Sequence, residues 1–154
     1  MDAVYITRVD TAFAATAGFK TILKLITPST FNIKILELAL FTDGVTATAV
    51  PATWALFTSD ETTAGTGSGS PVTTQVAGRA QAHGLTVGQK FSAEGTTYTY
   101  VKQGYIPQFM GSLVLPNPLG LEENSPGDAA DSIGVGINVT ANVNVLAWLK
   151  WCRA

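Results

Sequence analysis

Hydrophobic and polar positions alternate with period two along most of the chain, and helical spacing is nowhere sustained. The first such stretch is Val4 to Val9, with Tyr5, Thr7 and Val9 on one face and Val4, Ile6 and Arg8 on the other. Phe19 to Ile26 sets Phe19, Thr21, Leu23 and Leu25 against Lys20, Ile22, Lys24 and Ile26, and the two lysines mark the second face as partly wet. Asn32 to Thr42 departs from this pattern. Ile33 and Ile35 have one parity and Leu36, Leu38 and Leu40 the other, so both faces of this strand are expected to be covered. Asp43-Gly44 then signals a turn, Pro51 interrupts any central ladder, and Ala52 to Thr58 resumes as an apolar strand through Trp54, Leu56 and Phe57. Phe31 to Asp60 is thus expected to be the strand pair around which the chain is organised.

The later chain is broken more often. Asp10 to Gly18 is small and reads as a loop. Residues 61–71 are Gly/Ser-rich and read as a flexible surface loop, followed by a short edge strand at Val72 to Val76. Ala77 to Gly95 has no clean period, and its four glycines argue against a long helix. Thr96 to Tyr105 and Ser112 to Leu115 are strands, Leu121 to Asp131 an acidic loop. The chain closes with Ile133, Val135, Ile137 and Val139, then Val143, Val145, Ala147, Leu149 and Trp151, all at alternate positions, which reads as an antiparallel hairpin. Eight strands, or nine with Val72 to Val76, predict a single all-β domain over residues 1–154, an antiparallel β-sandwich with the jelly roll as its leading variant.

Composition narrows the function classes. Only 13% of the 154 residues are charged, about half the ~25% of an average domain, and the polar remainder is mostly Thr, Ser, Asn and Gly. Such a surface suits a protein whose neighbours cover much of it. The net charge of −2 comes with no basic patch, so no nucleic-acid partner is expected. No apolar run approaches the ~18 residues of a membrane span, and MDAVYITRVD has no apolar core of a secretory signal, so synthesis in the cytoplasm is expected. Cys152 is the single cysteine and has no internal disulfide partner.

Candidate chemistry is sparse. His83, the only histidine, lies in an unpatterned loop with no nucleophile-elbow spacing nearby, and capping of backbone is the simpler role for it. Glu122, Glu123, Asp128 and Asp131 crowd one loop without cation-loop spacing. One His and one Cys exclude a zinc site. Gly65, Gly67 and Gly69 lack the Lys-Ser/Thr of a phosphate loop. No catalytic residue, cofactor or metal is therefore expected. Trp148 and Trp151 have opposite parity in the last strand, so one is expected in the core and the other on an outer face, where a subunit interface explains it better than sugar stacking.

Several stretches together carry a family resemblance: MDAVYITRVDTAFAATAG, ILELALFTDGVTATAVPATWALFTSD, FSAEGTTYTYVKQGYIPQ, SLVLPNPLGLE and the closing strand with its aromatic residues. The chain resembles small virion surface proteins of tailed bacteriophages, the decoration (head-cement) and minor tail proteins. The resemblance implies a jelly-roll-like sandwich without enzymatic activity, assembled as a homotrimer on the outer capsid and bound to the major capsid protein. A tail-associated receptor or carbohydrate-binding module is the alternative it leaves open. The residues expected at a protomer or capsid interface are Leu38, Trp148 and Trp151.

Overall fold

A computed structural model describes residues 2–43, 50–59, 65–95, 97–116 and 131–153. These hold eleven strands and no helix: β1 Val4–Arg8, β2 Phe13–Ala15, β3 Gly18–Ile26, β4 Ile33–Thr42, β5 Ala52–Ser59, β6 Val72–Ala77, β7 Thr86–Gln89, β8 Tyr98–Ile106, β9 Ser112–Pro116, β10 Ser132–Val139 and β11 Val143–Arg153. The front sheet runs β6-β1-β11-β4-β9, with β2 also paired to β11, and the back sheet runs β7-β3-β10-β5-β8. Every pairing is antiparallel. With β2, β6 and β7 set aside, the two orders are those of an eight-stranded jelly roll, whose successive strands pass between sheets except at β5 and β8, which pair within the back sheet. The eight strands expected from the hydrophobic pattern are these eight, and Val72–Ala77 takes the edge position expected of it.

Two expected strand pairs are corrected. β4 and β5 lie in opposite sheets, as do β10 and β11, so neither forms a hairpin. Alternation reports only that one face of a strand meets the core. Two strands facing one core from opposite sheets carry the same signature as two hydrogen-bonded neighbours. β2 and β7 fall in segments read as loops; they have three and four residues, too few for a period to show.

The covering of both faces of β4 is also corrected. Its register with β11 runs Leu40↔Ala147, Leu38↔Leu149 and Glu37↔Lys150, then shifts so that Ile35 meets Trp151 and Ile33 meets Arg153. Leu36 is the extra residue of a β-bulge, and the bulge resets the parity. Ile33, Ile35, Leu38 and Leu40 consequently all enter the core, alongside Val143, Val145, Ala147, Leu149 and Trp151 of β11. The apolar run at both parities is one core face interrupted by a bulge.

Leu38 and Trp151, expected at an interface, are 2% and 0% exposed inside the sandwich. Trp151 stacks on Tyr5 with ring centroids 4.6 Å apart. Its indole N–H donates to the Thr7 hydroxyl at 3.0 Å, so the ring is buried without an orphaned donor. Charged side chains and bulges also blunt the long back edge: β8 bulges at Val101, and Lys102, partnered in register with Leu56, points to the inner side.

The bulge gives a direct test. Leu38→Ala should cost about 2–5 kcal/mol, as burial without collapse predicts, whereas Leu36→Ala should cost under ~1.5 kcal/mol because Leu36 is only partly buried. Urea unfolding of both variants measures the contrast, and equal losses would mean that the strand runs without a bulge.

Candidate functional site

The two sheets differ in what covers their outer faces. On the back sheet, Phe19 and Phe57 lie across Gly136 and Gly134 of β10, where they leave no room for a side chain. Tyr98 packs on Phe57 at 4.6 Å and Tyr100 on Phe19 at 6.0 Å. Residues 90–95 form a strap across this face. The Phe91 and Lys90 amides donate to Thr21 and Ile22 carbonyls, and the Glu94 carboxylate accepts from the Thr21 amide at 2.8 Å, from the Thr21 hydroxyl and from the Tyr98 hydroxyl at 3.0 Å. Lys24 is buried beneath it, its ammonium 5.1 Å from the Phe91 ring centre and 5.4 Å from that of Tyr98. Desolvation, together with the Glu94 charge, pushes the Tyr98 phenol up to about 12. The chain thus closes much of this face with its own residues.

Nothing among the described residues covers the front sheet in this way. The outward residues of β11 are Asn144, Leu146, Trp148 and Lys150. Register places Trp148 beside Ala39, and Ala39 beside Val114 of β9; one row along, Leu146 sits beside Phe41. These five side chains form an apolar band over three strands, in which Ala39 is covered by its neighbours, Phe41 and Trp148 are half-buried, and Leu146 is 47% and Val114 52% exposed. Arg8 flanks Trp148 on the β1 side, and Lys150 and Glu37 face each other across the next row. An apolar centre with a charged rim is the anatomy of a protein-docking surface. At the Asp43 end a shallow notch of about 80 Å³ opens between Ala12, Phe41 and Leu146.

A rigid apolar corner adjoins this band. Phe109 and Met110 project into solvent, Met110 being 73% exposed and held at a left-handed φ of 53°. The Gln108 side chain, itself buried, fixes the turn by donating to the Val50 carbonyl at 2.6 Å and the Thr140 hydroxyl at 2.8 Å. From the other side, the Thr42 hydroxyl donates to the Pro107 carbonyl at 2.6 Å and accepts from the Gly111 amide at 3.0 Å. A strained turn with this many restraints presents its side chains in one arrangement, which lowers the ordering cost of binding.

A polar recess lies where β2 of the front sheet meets β3 of the back sheet. Lys20, Lys90, Thr16, Ser68, Ser92 and Phe13 surround a cavity of about 350 Å³. Lys90, at a left-handed φ of 52°, reaches Asp10 at 2.6 Å and the Thr11 hydroxyl at 2.6 Å. The hydrogen bond from Lys90 holds the Asp10 carboxyl down at about 2.

Of the sequence-predicted interface residues, only Trp148 is on a surface. The hydrophobic pattern carries no sign of the Phe109-Met110 corner; Phe41, Val114 and Leu146 are legible in it only as strand members, and their adjacency depends on sheet order. His83 caps backbone, its Nδ1 accepting from the Leu85 amide at 3.1 Å, and its ring meets Tyr5 and Trp151 edge-on. Glu122, Glu123 and Asp128 lie outside the described residues, and Asp131 is buried where β10 begins. Among the described residues no three of His, Cys, Asp and Glu are grouped to hold a metal ion. Burial raises the Cys152 thiol above its ordinary value. No family model, curated protein or solved structure matches the chain.

The double variant Leu146→Lys with Val114→Lys should unfold within about 0.5 kcal/mol per site of the parent, as exposed positions do, while binding less of an apolar fluorescent dye; a large loss of stability would place these side chains in the core. The Asp10–Lys90 pair should stabilise the fold above pH 4 and lose its effect as pH falls through about 2, because the folded-state value lies below the ordinary 3.8. The gap in thermal midpoint between the parent and Asp10→Asn should therefore be present at neutral pH and narrow towards pH 2.

Proposed function

We propose that the chain is a structural virion protein of a tailed bacteriophage, a decoration protein that binds the outer capsid surface as a homotrimer and braces the shell. The observation that carries this reading is the contrast between the two sheets: the chain's own aromatic residues and strap cover the β3, β10 and β5 part of the back face and leave Tyr100 and Tyr105 exposed only on its edge strand β8, whereas the front face presents a rimmed apolar band across its interior strands. A jelly roll with one such face can pack against a second protomer and a capsid shell at once. The sequence resemblance and the low charge density support the same role. The major capsid protein is the partner in this reading, and Trp148, Phe41, Leu146 and Val114 are the contact residues. The sandwich then works as a brace: its rigid front sheet spans adjacent capsomers, and burying apolar area at ~25 cal/mol per Å² offsets the cost of ordering many copies on one shell.

Sedimentation of the purified chain with expanded shells lacking it tests this. The expected result is a trimer in solution at micromolar concentration that pellets with the shells, and a folded Leu146→Lys/Val114→Lys variant that stays in the supernatant. A monodisperse monomer that leaves the shells bare would sink the proposal.

A further inference from the structure

The recess between β2 and β3 contains a cation with no counter-charge among the described residues. Lys20 pairs in register with the core residue Ile137, so it points to the inner side of the back sheet, at the mouth between the sheets. It is half-buried, and its ammonium meets no carboxylate or carbonyl among the described residues. A cation partly withdrawn from water without a counter-charge favours an anion beside it. Across the cavity Lys90 supplies a second ammonium, whose charge Asp10 already balances. The recess therefore has room for a net single negative charge, placed on its Lys20 side.

The rest of the lining sets the chemistry of that anion. Thr16 and Ser68 contribute hydroxyls that both donate and accept, Ser92 contributes one that can accept while it donates to the Thr66 carbonyl at 3.4 Å, and the half-buried Phe13 ring gives an apolar wall. The loop walls are fixed: the Ser68 amide donates to the Gln89 carbonyl at 3.0 Å, the Ser92 amide to the Thr66 carbonyl at 2.9 Å, and the Gln89 side chain spans Asp10 and Ser68. The volume of about 350 Å³ falls within the roughly 300–1,000 Å³ of small-ligand pockets. An aromatic wall for C–H faces, hydroxyls for hydroxyls and one free ammonium for a carboxylate together match an acidic sugar.

We propose that this recess binds an acidic saccharide, its carboxylate on Lys20 and its ring against Phe13. The site is separate from the front-sheet docking surface, so the two readings stand or fall independently. In this site Lys20 is the anion-binding residue. Asp10 is a competitor, because its carboxylate draws the Lys90 ammonium away from the ligand.

Amide chemical-shift titration of the full chain with D-glucuronate, D-glucose and sulfate tests the assignment. Glucuronate should shift the amides of Lys20, Ser68 and Ser92, with glucose at least about tenfold weaker, the worth of one charge-assisted hydrogen bond. Lys20→Gln should reduce glucuronate affinity to the level of glucose, Lys20→Arg should restore it, and Asp10→Asn should tighten it, each with an otherwise parental amide spectrum. No shifts with glucuronate, equal binding of glucose, sulfate binding as tightly as glucuronate, or an unaltered affinity in Lys20→Gln would each overturn the proposal.

Discussion

The register of β4 on β11 is the constraint on which the rest of the molecule depends. These are the two longest strands and both are interior to the front sheet. Without the bulge at Leu36, Ile33 and Ile35 would face outward while Leu38 and Leu40 faced inward. With it, four aliphatic side chains meet the five inward residues of β11, and the closing Trp151 reaches the Tyr5–Thr7 wall. Because a one-residue change of register exchanges the faces of a strand, the same bulge decides which residues remain outside. Ala39 and Phe41 are on the outer face because Leu38 and Leu40 are in the core, and Trp148 and Leu146 are there because Ala147 and Leu149 are not.

From this follows the asymmetry between the sheets. The back sheet carries two glycines in β10 where the front sheet carries side chains, and aromatic rings from β3, β5 and β8 settle into the space. The strap pinned by Glu94 completes the cover. The front sheet has no such glycine channel and no such strap among the described residues, and its apolar band has only its charged rim for company. An apolar surface left in this condition beside the restrained Phe109-Met110 corner is the feature on which the proposal of assembly rests.

Much of the fold was legible in the hydrophobic pattern. Period-two alternation located the eight jelly-roll strands because each has one face in the core, and the same local signal identified Val72–Ala77 as an edge. What it could not carry was pairing. β10 and β11 look like a hairpin because alternation is a property of a single strand, and which sheet a strand joins is decided by distant partners. The bulge was hidden for a related reason: Ile33, Ile35, Leu36, Leu38 and Leu40 read equally as a strand with two covered faces or as one face with a phase shift, and only the partner strand distinguishes them. The expectation that Leu38 sits at an interface came from that ambiguity, whereas the parity argument on β11 separated Trp148 from Trp151 but could not say which of the two enters the core. The recess was illegible because Lys20, Ser68 and Lys90 are far apart in the chain and meet only at the mouth of the sandwich.

Hydroxyl-radical footprinting of side chains, on the free protein and on the assembled particle, tests the central claim most directly, because it reads each outer face separately. Phe41, Leu146, Trp148 and Val114 should be strongly protected on assembly while Tyr100, on the outer face of the back sheet, keeps the reactivity it has in the free chain. Front-sheet side chains that react equally in both states, with protection at Tyr100 instead, would contradict it.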